Sequence, residues 1–475
     1  MTTLNWTHLQ HEYGQPLARW TPFAASGLAL RLGGLARWCL RREVLELAAA
    51  DDAIPSAYRT AWLRIPPLPA RHGSCWVVFA VERPAEWPWL RPAFALPLRW
   101  VERRAETGTG SDQDDRCLSP FPELHSPLLP AALARLATDA VKLLGDAPQP
   151  ADVSWGLELS PELAAVDLRD MPLACGSGWA ALAAGLLVAA EDGTPDPQVW
   201  ATGSWNDGSG VQRVDHLKAK LDLAVEFGAN AVFVPSAQVS EAQALAPNLE
   251  ICSLRMGTRE PRSTLADYVL RLEAPPPPPT DVHDEAGFQR CVTYYLKRPR
   301  GQARTTKFYW SHLLPTVTER CRVQVRRDWP GCQPTHLVTI VSGSPELVPL
   351  AVRAIGVKNC LLLYTPHQDS RLDQTSAMES VKAVLEGDQI ECAPAPFEDN
   401  EALAEQIPDF VRQFGSGLSP DSLVLDITPG NKWMTWVTDR AMPNGSWRLY
   451  VRNDTLTPTD RRPRPGSEQL ICWQV

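Results

Sequence analysis

No two of the eleven cysteines form a CxxC pair, and no Cys/His cluster has zinc spacing. Scattered and odd in number, they read as reduced thiols in a cytosolic chain. No GxxxxGKS/T loop occurs, which excludes a P-loop ATPase. A metal-binding carboxylate cluster, a recognisable nuclease motif and the GxSxG elbow of α/β hydrolases are missing too. There is no surplus of positive charge: 46 Lys and Arg stand against 55 Asp and Glu, a formal net charge of −9. That argues against a nonspecific grip on nucleic-acid backbone, so no direct DNA binding is expected. The opening MTTLNWTHLQHEYG lacks the charged start and apolar run of a signal peptide. The most apolar early stretch, Phe23 to Leu40, is broken by Arg31 and Arg37 and makes a poor membrane span. A cytoplasmic setting without a membrane partner is expected.

What is present is an ordinary globular composition, 44% hydrophobic and 21% charged, over 475 residues. That length predicts two or three domains. The clearest punctuation is Pro275 to Pro279, five prolines that favour an extended spacer. The expected division is an N-terminal region over 1–125, whose role is not legible, and an α+β domain over 126–272. A proline linker over 273–281, a helical and basic connector over 282–334 and a Rossmann-like domain over 335–475 follow. In the last, apolar strand runs such as Leu337–Val341, Cys360–Tyr364 and Leu423–Ile427 alternate with amphipathic helices. That alternation specifies a parallel sheet with crossover helices, which binds ligands at the carboxyl ends of its strands. The fold class expected for the whole chain is thus α/β and α+β multidomain.

Cys175-Gly176-Ser177-Gly178-Trp179 opens an Ala-rich helix. A serine between glycines can be approached by a substrate backbone, and a helix start offers N–H groups to an oxyanion. Serine needs a base, and no histidine partner is obvious. A lysine can serve if desolvation keeps it neutral near pH 7. The helix from Val214 carries two. Lys218 has Asp215, Asp222 and Glu226 along its face, whereas Lys220 has Leu217, Ala224 and Phe227. Helix phase selects Lys220.

The stretch from Cys175 to Pro235 resembles the proteolytic domain of Lon proteases. It has a small-residue serine loop and helix, a strand ending Ala201-Thr202-Gly203, then Leu217-Lys218-Ala219-Lys220-Leu221, then a Gly–strand–Pro ending. The spacing of Ser177 and Lys220 matches the family's dyad without a gap. The resemblance implies a Lon-like α+β fold, a Ser177–Lys220 dyad and a Thr202 that orients the lysine. The sequence departs at Cys-Gly-Ser-Gly-Trp, where the family has Gly-Pro-Ser-Ala-Gly, at Ala174, and at Asp215-His216 in place of Gly-Gly.

In the last domain the first strand ends in Ser342-Gly343-Ser344, and a later one leads through Asp426, Thr428, Gly430, Asn431 and Lys432 into a helix. Hydroxyl, amide and ammonium donors at a helix start suit an anion. The pair of loops resembles the CRISPR-associated Rossmann fold family. That resemblance implies a cyclic oligoadenylate ligand, tetra- or hexa-adenylate, bound by Ser342, Gly343, Ser344, Asp426, Thr428, Gly430, Asn431 and Lys432 in a homodimer.

Together the two resemblances imply a CRISPR-associated, ATP-independent serine endopeptidase of antiviral defence. The cyclic nucleotide would activate it to cut a partner protein encoded nearby, with no metal or other cofactor. Two rivals are a catalytically dead Lon-fold module that releases a partner on ligand binding, and a nuclease that degrades the ligand itself.

Overall fold

The computed structural model describes residues 4–104, 128–144, 153–161, 163, 166–255, 260–298, 303–341, 345–366, 368–369, 372–398, 403–429, 432–453, 455 and 462–475. The protein is mixed α/β, in two compact units, Met1–Ala274 and Pro275–Val475. The division falls at the start of the proline run. Residues 1–125 and 126–272, separated in the sequence reading, belong to one unit, and so do the connector and the Rossmann-like region.

The first unit holds a four-stranded antiparallel sheet in the order β3-β2-β1-β4. Its strands are β1 (Ser74–Val81), β2 (Ala93–Arg104), β3 (Val153–Leu159) and the short β4 (Leu173–Ala174). All eight residues of β1 are buried. Such a continuous apolar run needs cover on both faces. The Trp179–Ala190 helix supplies part of it: ten of its twelve residues are buried, consistent with its Ala, Gly and Leu content. A parallel three-stranded sheet runs β5-β8-β9, from β5 (Val199–Ala201), β8 (Ala231–Pro235) and β9 (Glu250–Leu254). A separate ribbon pairs β6 (Ser204–Asn206) with β7 (Gly210–Gln212).

The N-terminal helices join this core instead of forming a separate cap. Trp6, Leu28 and Trp38 share one apolar cluster with Trp179 and Leu221. Arg91 ties the regions together. Its Nε donates to Leu40 O at 2.7 Å, and its guanidinium pairs with Glu226 on the Leu217–Glu226 helix at 2.5 and 2.9 Å. Trp38 stacks on Phe227 beside that pair, with centroids 5.7 Å apart.

In the second unit, β10 (His336–Ile340), β11 (Asn359–Tyr364), β14 (Glu391–Pro396), β15 (Leu423–Asp426) and β16 (Trp447–Asn453) are parallel. The order is β14-β11-β10-β15-β16-β17, and β17 (Glu468–Gln474) closes one edge antiparallel to β16. A small ribbon, β12 (Gln368–Asp369) with β13 (Leu372–Asp373), lies apart from it. Pro394 and Pro396 sit in β14, an edge strand, where a missing donor costs least. On β17 the side-chain amide of Gln324 accepts from Leu470 N at 2.9 Å and donates to Leu470 O at 3.0 Å. From β10 the chain builds outward through β11 to β14, then returns to place β15 on the other side. The switch point therefore lies between β10 and β15. Helices over Glu285–Lys297 and Leu314–Asp328 pack with this sheet in one core. Among the described residues no helix is long and apolar enough to cross a membrane.

Candidate functional site

Ser177 lies in a tight turn, Gly176–Gly178, that runs straight into the Trp179–Ala190 helix. The turn is fastened by its own amides. Gly178 N donates to Cys175 O at 2.9 Å, Trp179 N to Gly176 O, and Ala180 N to Gly203 O at 3.1 Å. The amides of Gly176 and Ser177 have no carbonyl partner among the described residues. They are donors open to an anionic oxygen.

The Thr202–Trp205 segment lies against this turn. Gly203 N donates to the Ser177 carbonyl at 2.9 Å, and Thr202 Oγ1 donates to the same oxygen at 3.5 Å. Trp205 of the β6–β7 ribbon stacks on Trp179, with centroids 4.9 Å apart and planes at 23°. Ser177 is 9% exposed, and its Oγ is enclosed without a hydrogen-bond partner. On the other side Gly178 meets β1. A Cβ there would overlap Val77 Cγ1 and lie 3.0 Å from the Phe79 ring. Gly178→Ala is therefore expected to lower stability by about 1–3 kcal/mol, read from the denaturant midpoint.

Lys220 lies one turn into the Leu217–Glu226 helix, among buried Leu217, Leu221 and Ala224. It is 3% exposed, and burial lowers its pKa to about 8, with the Asp215 carboxylate opposing the shift. Lys218 faces outward and pairs with Asp222 at 2.8 Å. The buried lysine is the one selected by helix phase. No hydrogen bond joins Ser177 Oγ to Lys220, and none joins Thr202 to Lys220, among the described residues. Thr202, 2% exposed, is brought to the serine's carbonyl, where the resemblance had it orienting the lysine. His216, at the start of the lysine helix, adopts a left-handed backbone, φ 54°. The family's Gly-Gly would fall at this place, and glycine holds such a conformation without strain.

At the switch point of the second unit, Asp426 ends β15 and is 1% exposed. One carboxylate oxygen accepts from Thr339 Oγ1 of β10 at 3.2 Å, the other from Thr428 N at 2.9 Å. Thr428 Oγ1 in turn accepts from Val451 N of β16 at 2.7 Å. Asp426 and Thr428 thus stitch three strand ends together and shape the loop. Lys432 stands exposed at the head of the Lys432–Ala441 helix. Ser342, Gly343, Ser344, Gly430 and Asn431 lie outside the described residues.

Burial raises the Asp426 pKa to about 6. Between the unfolded value of 3.8 and about 6 the folded chain holds the extra proton, so stability falls as pH rises through that window. Asn can keep both hydrogen bonds without the buried charge. Asp426→Asn is expected to gain about 1–3 kcal/mol at pH 7. The gain fades below about pH 4, as paired denaturation curves across pH would show.

The sequence reading missed a buried polar cluster in the same unit. Tyr295 donates to Glu346 at 3.4 Å and Tyr309 to Glu468 at 3.4 Å, while the Arg462 guanidinium lies 4.5 Å from the Tyr295 ring centre. Burial raises Glu468 to about 7. A π-helical turn over Tyr309–Leu313 delivers one of the tyrosines, and periodicity gives no sign of such a turn.

No protein-family model matches the chain, and no curated protein matches it.

Proposed function

We propose that the chain is a Ser–Lys peptidase of Lon-like type whose activity is set by an anionic nucleotide, a cyclic oligoadenylate, held by the second unit. The observation that carries the peptidase reading is Lys220. A lysine that is 3% exposed, with a pKa lowered to about 8, is a competent base near neutral pH. It lies in the same compact unit as a glycine-flanked serine at a helix start.

In the reaction Ser177 Oγ attacks the scissile carbonyl carbon, and neutral Lys220 takes the hydroxyl proton. The tetrahedral oxyanion is met by the free amides of Gly176 and Ser177. Lys220 passes its proton to the leaving amine as the C–N bond breaks. Water then attacks the acyl-enzyme, giving a proton to Lys220, which returns it to Ser177 as the acid product leaves. Chain cleavage without a P-loop ATPase is limited to exposed segments.

The nucleotide reading rests on the switch point between β10 and β15, where open parallel sheets bind ligands, and on Lys432 at a helix start beside it. A second reading has a specific observation in its favour. Ser177 Oγ has no hydrogen bond to a base, as a dead fold that only holds a partner would show.

One experiment separates the two. Wild type, Ser177→Ala and Lys220→Ala are incubated with proteins from the neighbouring genes, with and without cyclic tetra- and hexa-adenylate, and products are read by intact mass. Cutting that needs the nucleotide and both residues establishes the peptidase. Tight nucleotide binding with no cutting sinks it in favour of the binding module.

A further inference from the structure

The Lys432–Ala441 helix buries Met434, Val437 and Thr438 and turns Lys432, Trp433, Trp436 and Arg440 outward. Residues 432, 436 and 440 are spaced to form one line on a helix. Trp433 and Trp436 are 49% and 48% exposed and stack with centroids 5.0 Å apart. The Arg440 guanidinium lies 5.0 Å from the Trp436 ring centre. The helix's one carboxylate, Asp439, is engaged by Arg448 of β16. The line of 432, 436 and 440 therefore carries two cations, neither in an ion pair among the described residues, while the half-exposed Asp439 beside it is matched by Arg448.

Trp436 is also a ridge between two grooves. One, of ≈ 660 Å³, runs between this helix and the Leu403–Phe414 helix, past Pro408, Val411, Leu418 and Arg440. The other, of ≈ 610 Å³, runs between this helix and the sheet, floored by Tyr450, Trp473 and Val475. Tyr450 and Trp473 are themselves 41% and 37% exposed. A contiguous patch of four half-exposed aromatic rings is uncommon on a surface without a partner, and Trp, Tyr and Arg are the side chains that dominate interfaces.

We infer that this ridge with its two grooves is a docking surface for an acidic peptide segment of another protein, with bulky apolar side chains seated in the grooves. Charge selects the occupant. Unmatched Lys432 and Arg440 at the two ends of the line call for carboxylates between which apolar anchors sit. Stacked bases fit less well: the chain's formal net charge of −9 opposes the phosphate backbone that would have to follow them. A second copy packed two-fold on the same helix would set these cations against their like. The inference does not depend on the peptidase reading. Lys432 also belongs to the proposed nucleotide set, so the test leaves it unchanged.

The full-length protein is titrated into three fluorescein-labelled probes, with anisotropy read at low and high salt. They are a peptide alternating Glu with Leu and Trp, the same peptide with Lys for Glu, and oligo-dT. The acidic peptide is expected to bind in the micromolar range, to weaken with salt, and to lose about tenfold or more in affinity on Trp436→Ala and on Arg440→Glu. Both substitutions are at exposed positions, and unchanged thermal melts exclude misfolding. Equal binding of the basic peptide, tighter binding of oligo-dT, or full binding by a folded Trp436→Ala variant overturns the inference. So does concentration-dependent self-association that Trp436→Ala abolishes, which would give the surface to a second copy.

Discussion

Lys220→Met is expected, on the proposed Ser–Lys mechanism, to slow peptide cleavage by about 10³-fold and, in the same protein, to raise stability at pH 7. Both effects come from one buried ammonium. Desolvation that makes the lysine a usable base also opposes its charged form in the fold. Unfolded, the group titrates near 10.5; folded, near 8. Between those values the unfolded chain binds the extra proton, so stability rises with pH across that window. Below about pH 8 the penalty is present in full, on the order of 3 kcal/mol. Met keeps the apolar stem and removes the charge, so the variant should melt higher at pH 7 and converge with wild type above about pH 10.5. The proposed activity has a matching expected signature: only neutral Lys220 accepts a proton, so the wild-type rate should climb with pH to a plateau above about 8. A Met variant no more stable than wild type at pH 7 would show that Lys220 reaches solvent through its stem and is no buried base.

Trp205→Ala is expected to raise labelling of Ser177 by a small serine-reactive probe about three- to tenfold in resting protein, since a ring stack is worth about 0.5–1.5 kcal/mol. The β6–β7 ribbon has three residues per strand and pairs with no other strand among the described residues. Ribbons of that size are marginal by themselves. Its hold on the Ser177 turn is the Trp205–Trp179 stack, next to the Thr202 and Gly203 hydrogen bonds to the Ser177 carbonyl. Losing the stack frees the ribbon while leaving the turn's own amide bonds in place. An unchanged labelling rate, with the variant folded, would mean that other groups enclose the hydroxyl.

How much of this was legible differs between the two units. The three central parallel strands of the second, β10, β11 and β15, were readable because each is a run of buried residues. Leu423–Asp426 is four buried residues in a row, and Asn359–Tyr364 holds four more. β17 escaped notice because its buried and exposed residues mix, and its place depends on pairing with β16. In the first unit the strands are local patterns, but the way β1 pairs is not. Ala80 pairs with Ala174 across a long loop of sequence, and that pairing brings the N-terminal region into the core behind Ser177. Local patterns carry no record of such contacts. Lys220 could be told from Lys218 because helix phase is local. The Thr202 hydroxyl could not be assigned, since its acceptor is a carbonyl 25 residues away that only the folded turn presents. Asp426 was readable as a loop residue. That its oxygens are used up inside the loop was not, because Thr339 comes from a different strand.

The two margins of the large sheet are finished by different means, and this bears on what the protein does when crowded. One margin has prolines at 394 and 396, which cannot donate to an incoming strand. At the other, Gln324 offers Leu470 one donor and one acceptor, as a further strand would. A borrowed amide is a reversible stopper. Where it lifts, a sequence without proline or lysine, Glu468–Gln474, is bared for chain-to-chain pairing. Resistance to fibre growth on this side of the molecule thus depends on Gln324 and on its helix, whose Cys321 thiol also donates to Glu468 O at 3.7 Å.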